Sequence, residues 1–253
     1  VKTAVKAGIE IGAHPGYPDL MGFGRRNMAV SASDVTTYIM YQIGALNAFC
    51  KAEGVKMQHV KPHGALYNAA AKDANLADAI CEGVARIDDS LILMGLSGSI
   101  MESSAKKFGI RFASEVFADR AYEEDGSLVA RTKPGAVITD EDEAVSRVTQ
   151  MVKDGTVTAV TGEKIAISAD SICVHGDNSH ALEFIKKIRK ALGEEKLPWN
   201  QYLATPELIK TTHKDYDLTS IPTFLVIDPE GKIIFSGHSS GELETTLAAK
   251  CNI

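Results

Sequence analysis

Long apolar runs are missing from this 253-residue chain: no stretch approaches the roughly 18 to 20 apolar residues that a membrane span requires, and the first residues carry no signal-peptide core. No membrane partner is expected, and the chain reads as cytoplasmic. Cysteine is also sparse. Cys50, Cys81, Cys173 and Cys251 are widely separated, with no CxxC and no Cys/His ligand spacing, so buried free thiols are the plain reading and redox-pair or zinc-finger classes drop out. Positive charge is not in excess: 27 Lys and Arg against 33 Asp and Glu give a formal net charge of -6, which argues against nucleic acid as a partner. Local arginines can still bind small anions. GxxxxGK[ST] does not occur, and GFGRR at Gly22 to Arg26 lacks a third glycine and opens no helix, so neither a P-loop nor a dinucleotide fingerprint is expected.

What is present is a globular composition, 45% hydrophobic and 24% charged, with an unusual loop near the start. IGAHPGYPDLMGFGRRNM, Ile11 to Met28, sets four glycines and two prolines among a histidine, an aspartate and two arginines. Glycine and proline shape turns that other residues resist, and shaped loops with ionisable side chains tend to carry chemistry. Around it, strands and helices alternate. VKTAVKAG reads as the end of a helix stopped at Gly8, as though the chain begins inside an element. Ile9 to Ala13 reads as a strand, SASDVTTYIMYQIGALNAFCKAEG as a helix, VKMQHVKPHG as a strand and ALYNAAAKDANLADAICEGVAR as one helix. SLILMGLS, IMESSAKKFG, IRFASEVFA and IAISADSICV continue as strand, helix, strand and strand. Such alternation indicates an α/β fold with a parallel sheet, either a barrel or a doubly wound sheet.

Polar clusters fall at the carboxyl ends of the strands, where parallel sheets bind ligands. His14 follows the first strand, Lys61 and His63 the second; Glu115, Asp119 and Arg120 close IRFASEVFA, and His175, Asp177 and Asn178 close IAISADSICV. His59 and His180 are read as packed or solvated, Arg25 and Arg26 as either surface charges or anion contacts, and Asp140 to Glu143 as a solvated helix start.

GAHPGYPDLMGFGRRNM, HVKPHGALYN, FASEVFADRAYEEDGSLVARTKPGAVI and SICVHGDNSHAL together resemble the LamB/YcsF family, whose members serve as the A subunit of bacterial 5-oxoprolinase. The resemblance implies an incomplete (β/α) barrel of the seven-stranded, polysaccharide-deacetylase-like type over residues 1-192, without the family's first strand. It also implies ATP-dependent opening of 5-oxoproline to L-glutamate with B and C subunits, ATP and Mg entering through those partners. Phosphorylating the lactam oxygen creates a leaving group, and an activated water then attacks the ring carbon. Arg120, Arg131 and Lys61 are the expected cations, with His175 and Asn178 also contacting substrate or phosphate; Asp119, Glu115, His14 and His63 are the candidate bases, and Asp177 completes the catalytic set. The histidines and Asp177 could instead hold a divalent cation, but no HExxH-like spacing supports that, and no metal is expected. A competing reading is an inactive barrel remnant acting as a scaffold.

Residues 193-253 are different in kind. YDL, SIPT, the strand FLVID, the turn PEG and the strand KIIFSG resemble the second half of a thioredoxin-like domain without its CxxC. That resemblance implies a cis bond between Ile221 and Pro222, a strand from Thr223 to Asp228, and a hairpin turning at Gly231 with positive φ. It implies the fold and no redox activity.

Overall fold

The computed structural model describes residues 1–175, 181–194, 224–227 and 233–237. The chain divides into two compact units, one of Val1–Gly176 with His180–Leu203, the other of Asp177–Ser179 with Ala204–Ile253. In the first, strands and helices alternate in the order α1 (Lys2–Lys6), β1 (Gly12–Ala13), α2 (Ala32–Ala52), β2 (His59–Val60), α3 (Gly64–Ala70), α4 (Ala74–Ile87), β3 (Ile92–Leu96), α5 (Met101–Lys107) and β4 (Arg111–Phe117). After a long loop come α6 (Glu141–Lys153), β5 (Thr156–Thr158), β6 (Lys164–Ala166), β7 (Ser171–Cys173) and α7 (Ala181–Glu194). Strands β1-β2-β3-β4-β7 form one sheet in that order, every neighbouring pair parallel, curled into an open α/β half-barrel.

Local chemistry explains the boundaries. Ser31 caps α2 by accepting the Asp34 amide, and Asp140 caps α6 by accepting that of Glu143. The stretch read as one helix from Ala65 to Arg86 is two. The Asp73 carboxylate accepts the amides of Asn75 and Leu76, so a fresh N-terminus at α4 outcompetes continuation of α3. The strand expected over IAISADSICV is also two. Lys164–Ala166 pairs antiparallel with β5 outside the main sheet, and only Ser171–Cys173 joins β4. Asp170 makes the splice: its amide donates to the Ser114 carbonyl and its carboxylate accepts the Ser114 amide.

Packing holds the sheet in place. Val35, Ile39 and Ile43 recur along one face of α2 and meet Ile80 and Val84 of α4 over Val60 and Leu93 of the sheet, all fully buried. The crossing depends on Gly83, where a Cβ would stand 2.9 Å from the Ile39 side chain. A second cluster gathers Tyr67, Leu96, Val116, Phe117, Tyr122, Met151 and Val157. Helix α7 seats Ile188 and Leu192 against Ala118 and Val148.

In the second unit, β8 (Phe224–Ile227) and β9 (Ile233–Gly237) pair antiparallel, with a register shift at Val226 and Ile227. The expected strand there is present in its central residues. The Ile221–Pro222 bond and the turn at Gly231 lie outside the described residues.

Candidate functional site

Because the five strands run parallel, residues that follow β1, β2, β4 and β7 share one edge of the sheet. Successive backbone bonds tie the strand-end loops together there: the Lys61 amide donates to the Ala13 carbonyl, that of His63 to Pro15 and that of Ala65 to Gly24. The glycine-rich segment is therefore a collar around the end of β2. Its glycines permit close approach. A Cβ on Gly64, which has φ +57°, would fall 2.5 Å from the Gly24 carbonyl oxygen, and a Cβ on Gly24 would press on the His63 ring at 3.0 Å. Gln42 of α2 anchors the collar by accepting the Gly16 amide and donating to the Gly16 carbonyl.

Lys61 is the charged centre of this edge. Its ammonium lies 2.6 Å from Glu115 Oε1 and 3.2 Å from the sulfur of Cys173, and faces the rings of Phe117 and Tyr67. The other Glu115 oxygen accepts the Tyr67 hydroxyl at 2.8 Å, so a carboxylate only 2% exposed has a partner on each oxygen. Burial opposes the Lys61 charge, but Cys173 and Glu115 outweigh it and hold the ammonium above its ordinary value. Burial pushes the Cys173 thiol up to about 12, the Glu115 charge adding to that and Lys61 opposing it.

Asp119 and His175 form a second pair. His175 Nδ1 sits 2.9 Å from both oxygens of Asp119, which is 2% exposed, and the His175 amide donates to the same carboxylate at 3.3 Å. Burial alone would raise the Asp119 carboxyl, yet the His175 hydrogen bonds and charge bring it below the usual range. With Nδ1–H bound to a carboxylate, Nε2 presents a lone pair. The ring stacks on Phe117, which also faces Lys61, so the two pairs share one wall.

His14 and His63 form the third part, with His14 Nε2 3.0 Å from His63 Nδ1. The His14 ring meets solvent on one side, and protein encloses the rest. Lost hydration lowers it to about 4, the Lys61 carbonyl pulling the other way and the charges of Lys61, His63 and His175 adding to the drop.

The structure thus brings His14, Lys61, His63, Glu115, Asp119 and His175 to one edge. Arg120 is placed differently. It follows β4 as expected but is 5% exposed, and its guanidinium donates to the carbonyls of Ala136 and Val129, bracing the long loop. Arg131 is exposed on that loop. Asp177 and Asn178 lie outside the described residues. Arg26 is matched with Asp19, lowering that carboxyl to about 2 chiefly through the guanidinium hydrogen bond, and Arg25 lies over Phe23. Three participants were not singled out by sequence. Tyr67 reads as a core position on a helix, Phe117 as a strand residue and Cys173 as an inert thiol; none carries a local signal for its partner.

The family model described as LamB/YcsF family matches residues 1–205. Over 197 residues the chain is 60% identical to the 5-oxoprolinase A subunit of Clostridium beijerinckii, spanning 78% of this chain and 77% of that one. Over 195 residues it is 57% identical to the 5-oxoprolinase A subunit of Pyrococcus abyssi, spanning 77% and 76%. The crystal structure of a lactam utilization protein from Thermus thermophilus superposes with a TM-score of 0.72 at 44% identity, covering 79% of each chain. By its sheet, its strand-end residues and these likenesses, the chain belongs to the LamB/YcsF family.

Proposed function

We propose that this chain is the A subunit of an ATP-dependent 5-oxoprolinase that, with B and C subunits, opens 5-oxo-L-proline to L-glutamate. The observation that carries the reading is the 60% identity to a 5-oxoprolinase A subunit over 77% of its length. The site chemistry supports it. An activated lactam needs a base for water, and His175 oriented by Asp119 has the arrangement of one, Nδ1 donating and Nε2 free to accept a proton. Lys61 supplies a fixed cation for a carboxylate or a phosphorylated oxygen, and Glu115 holds it in place. ATP and Mg are assigned to the assembled enzyme, and a cytoplasmic setting belongs to the same proposal. For the tail, a thioredoxin-like half rests on the sequence resemblance and on the antiparallel β8–β9 pair.

The test is reconstitution. Co-purified with B and C subunits, the chain should release glutamate and ADP from 5-oxoproline and ATP, and alone it should release none. His175→Ala in the assembly should lower kcat by about 10² to 10⁴, the usual worth of a positioned base. An assembly that turns over equally well without this chain would overturn the proposal.

A further inference from the structure

His14 and His63 meet edge to face, ring centroids 4.7 Å apart at an interplanar angle of 79°. Each outer nitrogen sits on a backbone carbonyl: His14 Nδ1 is 2.6 Å from the Lys61 oxygen, and His63 Nε2 is 2.7 Å from the Phe23 oxygen. A carbonyl oxygen can only accept, so each outer nitrogen must carry its ring's N–H. A neutral imidazole has one such proton. The inner nitrogens, His14 Nε2 and His63 Nδ1, are therefore both lone-pair bearers, and they face each other at 3.0 Å. Two acceptors at that separation repel unless something positive lies between them.

We propose that His14 Nε2 and His63 Nδ1 are two ligands of a divalent transition-metal cation, with solvent in its remaining positions. Two metal–nitrogen bonds of about 2.1 Å place their nitrogens about 3.4 Å apart in a tetrahedron and about 3.0 Å apart at the right angle of a six-coordinate ion, and the observed 3.0 Å matches the six-coordinate case. The outer N–H to carbonyl bonds are the arrangement by which ligand histidines are held in one tautomer and orientation. The loop is built to supply them. Phe23 adopts φ +53°, uncommon for a residue with a side chain, and its carbonyl is the one that receives His63 Nε2; Gly16 and Gly24 let the backbone close on the His63 ring. Among the described residues no third His, Cys, Asp or Glu completes a metal cluster, and the exposed His14 gives the pair a side toward solvent. Imidazole ligands suit Zn²⁺, Co²⁺ or Ni²⁺ and disfavour Mg²⁺ and Ca²⁺.

The experiment uses the full chain, stripped with chelator, titrated with Co²⁺ and followed by its visible spectrum and by metal analysis after desalting. About one Co²⁺ per chain is expected, displaced by Zn²⁺ and not by Mg²⁺. His14→Ala and His63→Asn should each weaken Co²⁺ binding at least about tenfold with the circular dichroism unchanged, and His59→Gln, which alters a histidine outside the pair, should retain it. If one variant fails to fold, the other gives the same reading. No Co²⁺ uptake by the wild-type chain, uptake unchanged in both variants, or a ¹⁵N spectrum showing the pair sharing a proton in the presence of Co²⁺ would overturn the proposal. No substrate or partner subunit enters the measurement, so its failure leaves the 5-oxoprolinase reading standing and the reverse also holds.

Discussion

Replacing Glu115 by Gln tests whether the Lys61 pair is a coupled unit. The substitution keeps the shape and removes the charge. In the native site one carboxylate oxygen takes the Lys61 ammonium at 2.6 Å and the other takes the Tyr67 hydroxyl at 2.8 Å. A glutamine offers a single acceptor and turns an NH₂ toward one of two donors, so either Lys61 or Tyr67 loses its partner. The Lys61 side chain is 21% exposed and that of Glu115 3%, so water replaces little of the loss. Removing one member of a buried pair typically costs about 3–5 kcal/mol, and the remaining amide acceptor should hold Glu115→Gln near the lower end. Lys61→Met combined with Glu115→Leu should instead cost only about 1–3 kcal/mol, because both charges leave together and the remaining loss is the buried Tyr67 hydroxyl left without its acceptor. The assay is urea unfolding by circular dichroism of wild type, Lys61→Met, Glu115→Leu and the double variant, read as a double-mutant cycle, with Glu115→Gln measured beside them. The Lys61 charge contributes fully below its unfolded value, and the contribution fades only as pH rises through the higher folded value, so from pH 6 to 9 Lys61 adds no pH dependence of its own. Additive single losses, or a Glu115→Gln change below about 0.5 kcal/mol, would refute the coupling.

Tyr122→Phe should cost about 1–3 kcal/mol, because the buried Tyr122 oxygen accepts the Phe117 amide at 2.9 Å at the end of β4 and no water can replace it; thermal unfolding checks this. Gly64→Ala should destabilise more than Gly98→Ala. Both glycines have positive φ, at +57° and +74°, but only at Gly64 would the Cβ meet backbone, 2.5 Å from the Gly24 oxygen, and equal melting temperatures would contradict the collar. Cys173 should resist iodoacetamide at pH 8 in the native chain and react on unfolding, its thiol having been pushed up to about 12; peptide mapping of the alkylated protein decides, and rapid native labelling would contradict the burial.

Strand and helix identity was legible because periodicity is local. Val35, Ile39 and Ile43 announce a helix face, and LILMGL a buried strand, whatever lies elsewhere in the chain. The errors occurred where a polar side chain bonded to nearby backbone. Asp73 started a new helix inside an apolar pattern that reads as continuous, and Asp170 broke a strand by bonding across to Ser114. Both are short polar residues whose carboxylates compete with regular structure, and composition alone does not say when they win.

The strand-end rule located the site, since parallel pairing carries residues after β1, β2, β4 and β7 to one edge regardless of their separation in sequence. It did not give the direction of side chains. Arg120 occupies the same edge as Asp119, yet its guanidinium turns to the carbonyls of Val129 and Ala136, because a cation buried to 5% exposure must find acceptors and the long loop presents them. Cys173 meets Lys61 across 112 positions, a contact no local pattern encodes. The glycine-rich loop is intermediate: its glycines predicted an unusual backbone, and the structure supplies the reason. Gly24 and Gly64 touch backbone to backbone, Phe23 turns into the left-handed region, and the carbonyl it presents fixes the proton of His63 on the outer nitrogen. A side chain at Gly64 would press on the Gly24 carbonyl and one at Gly24 on the His63 ring, so two glycines leave the room in which the His63 ring sits with one nitrogen on the Phe23 carbonyl and the other facing His14.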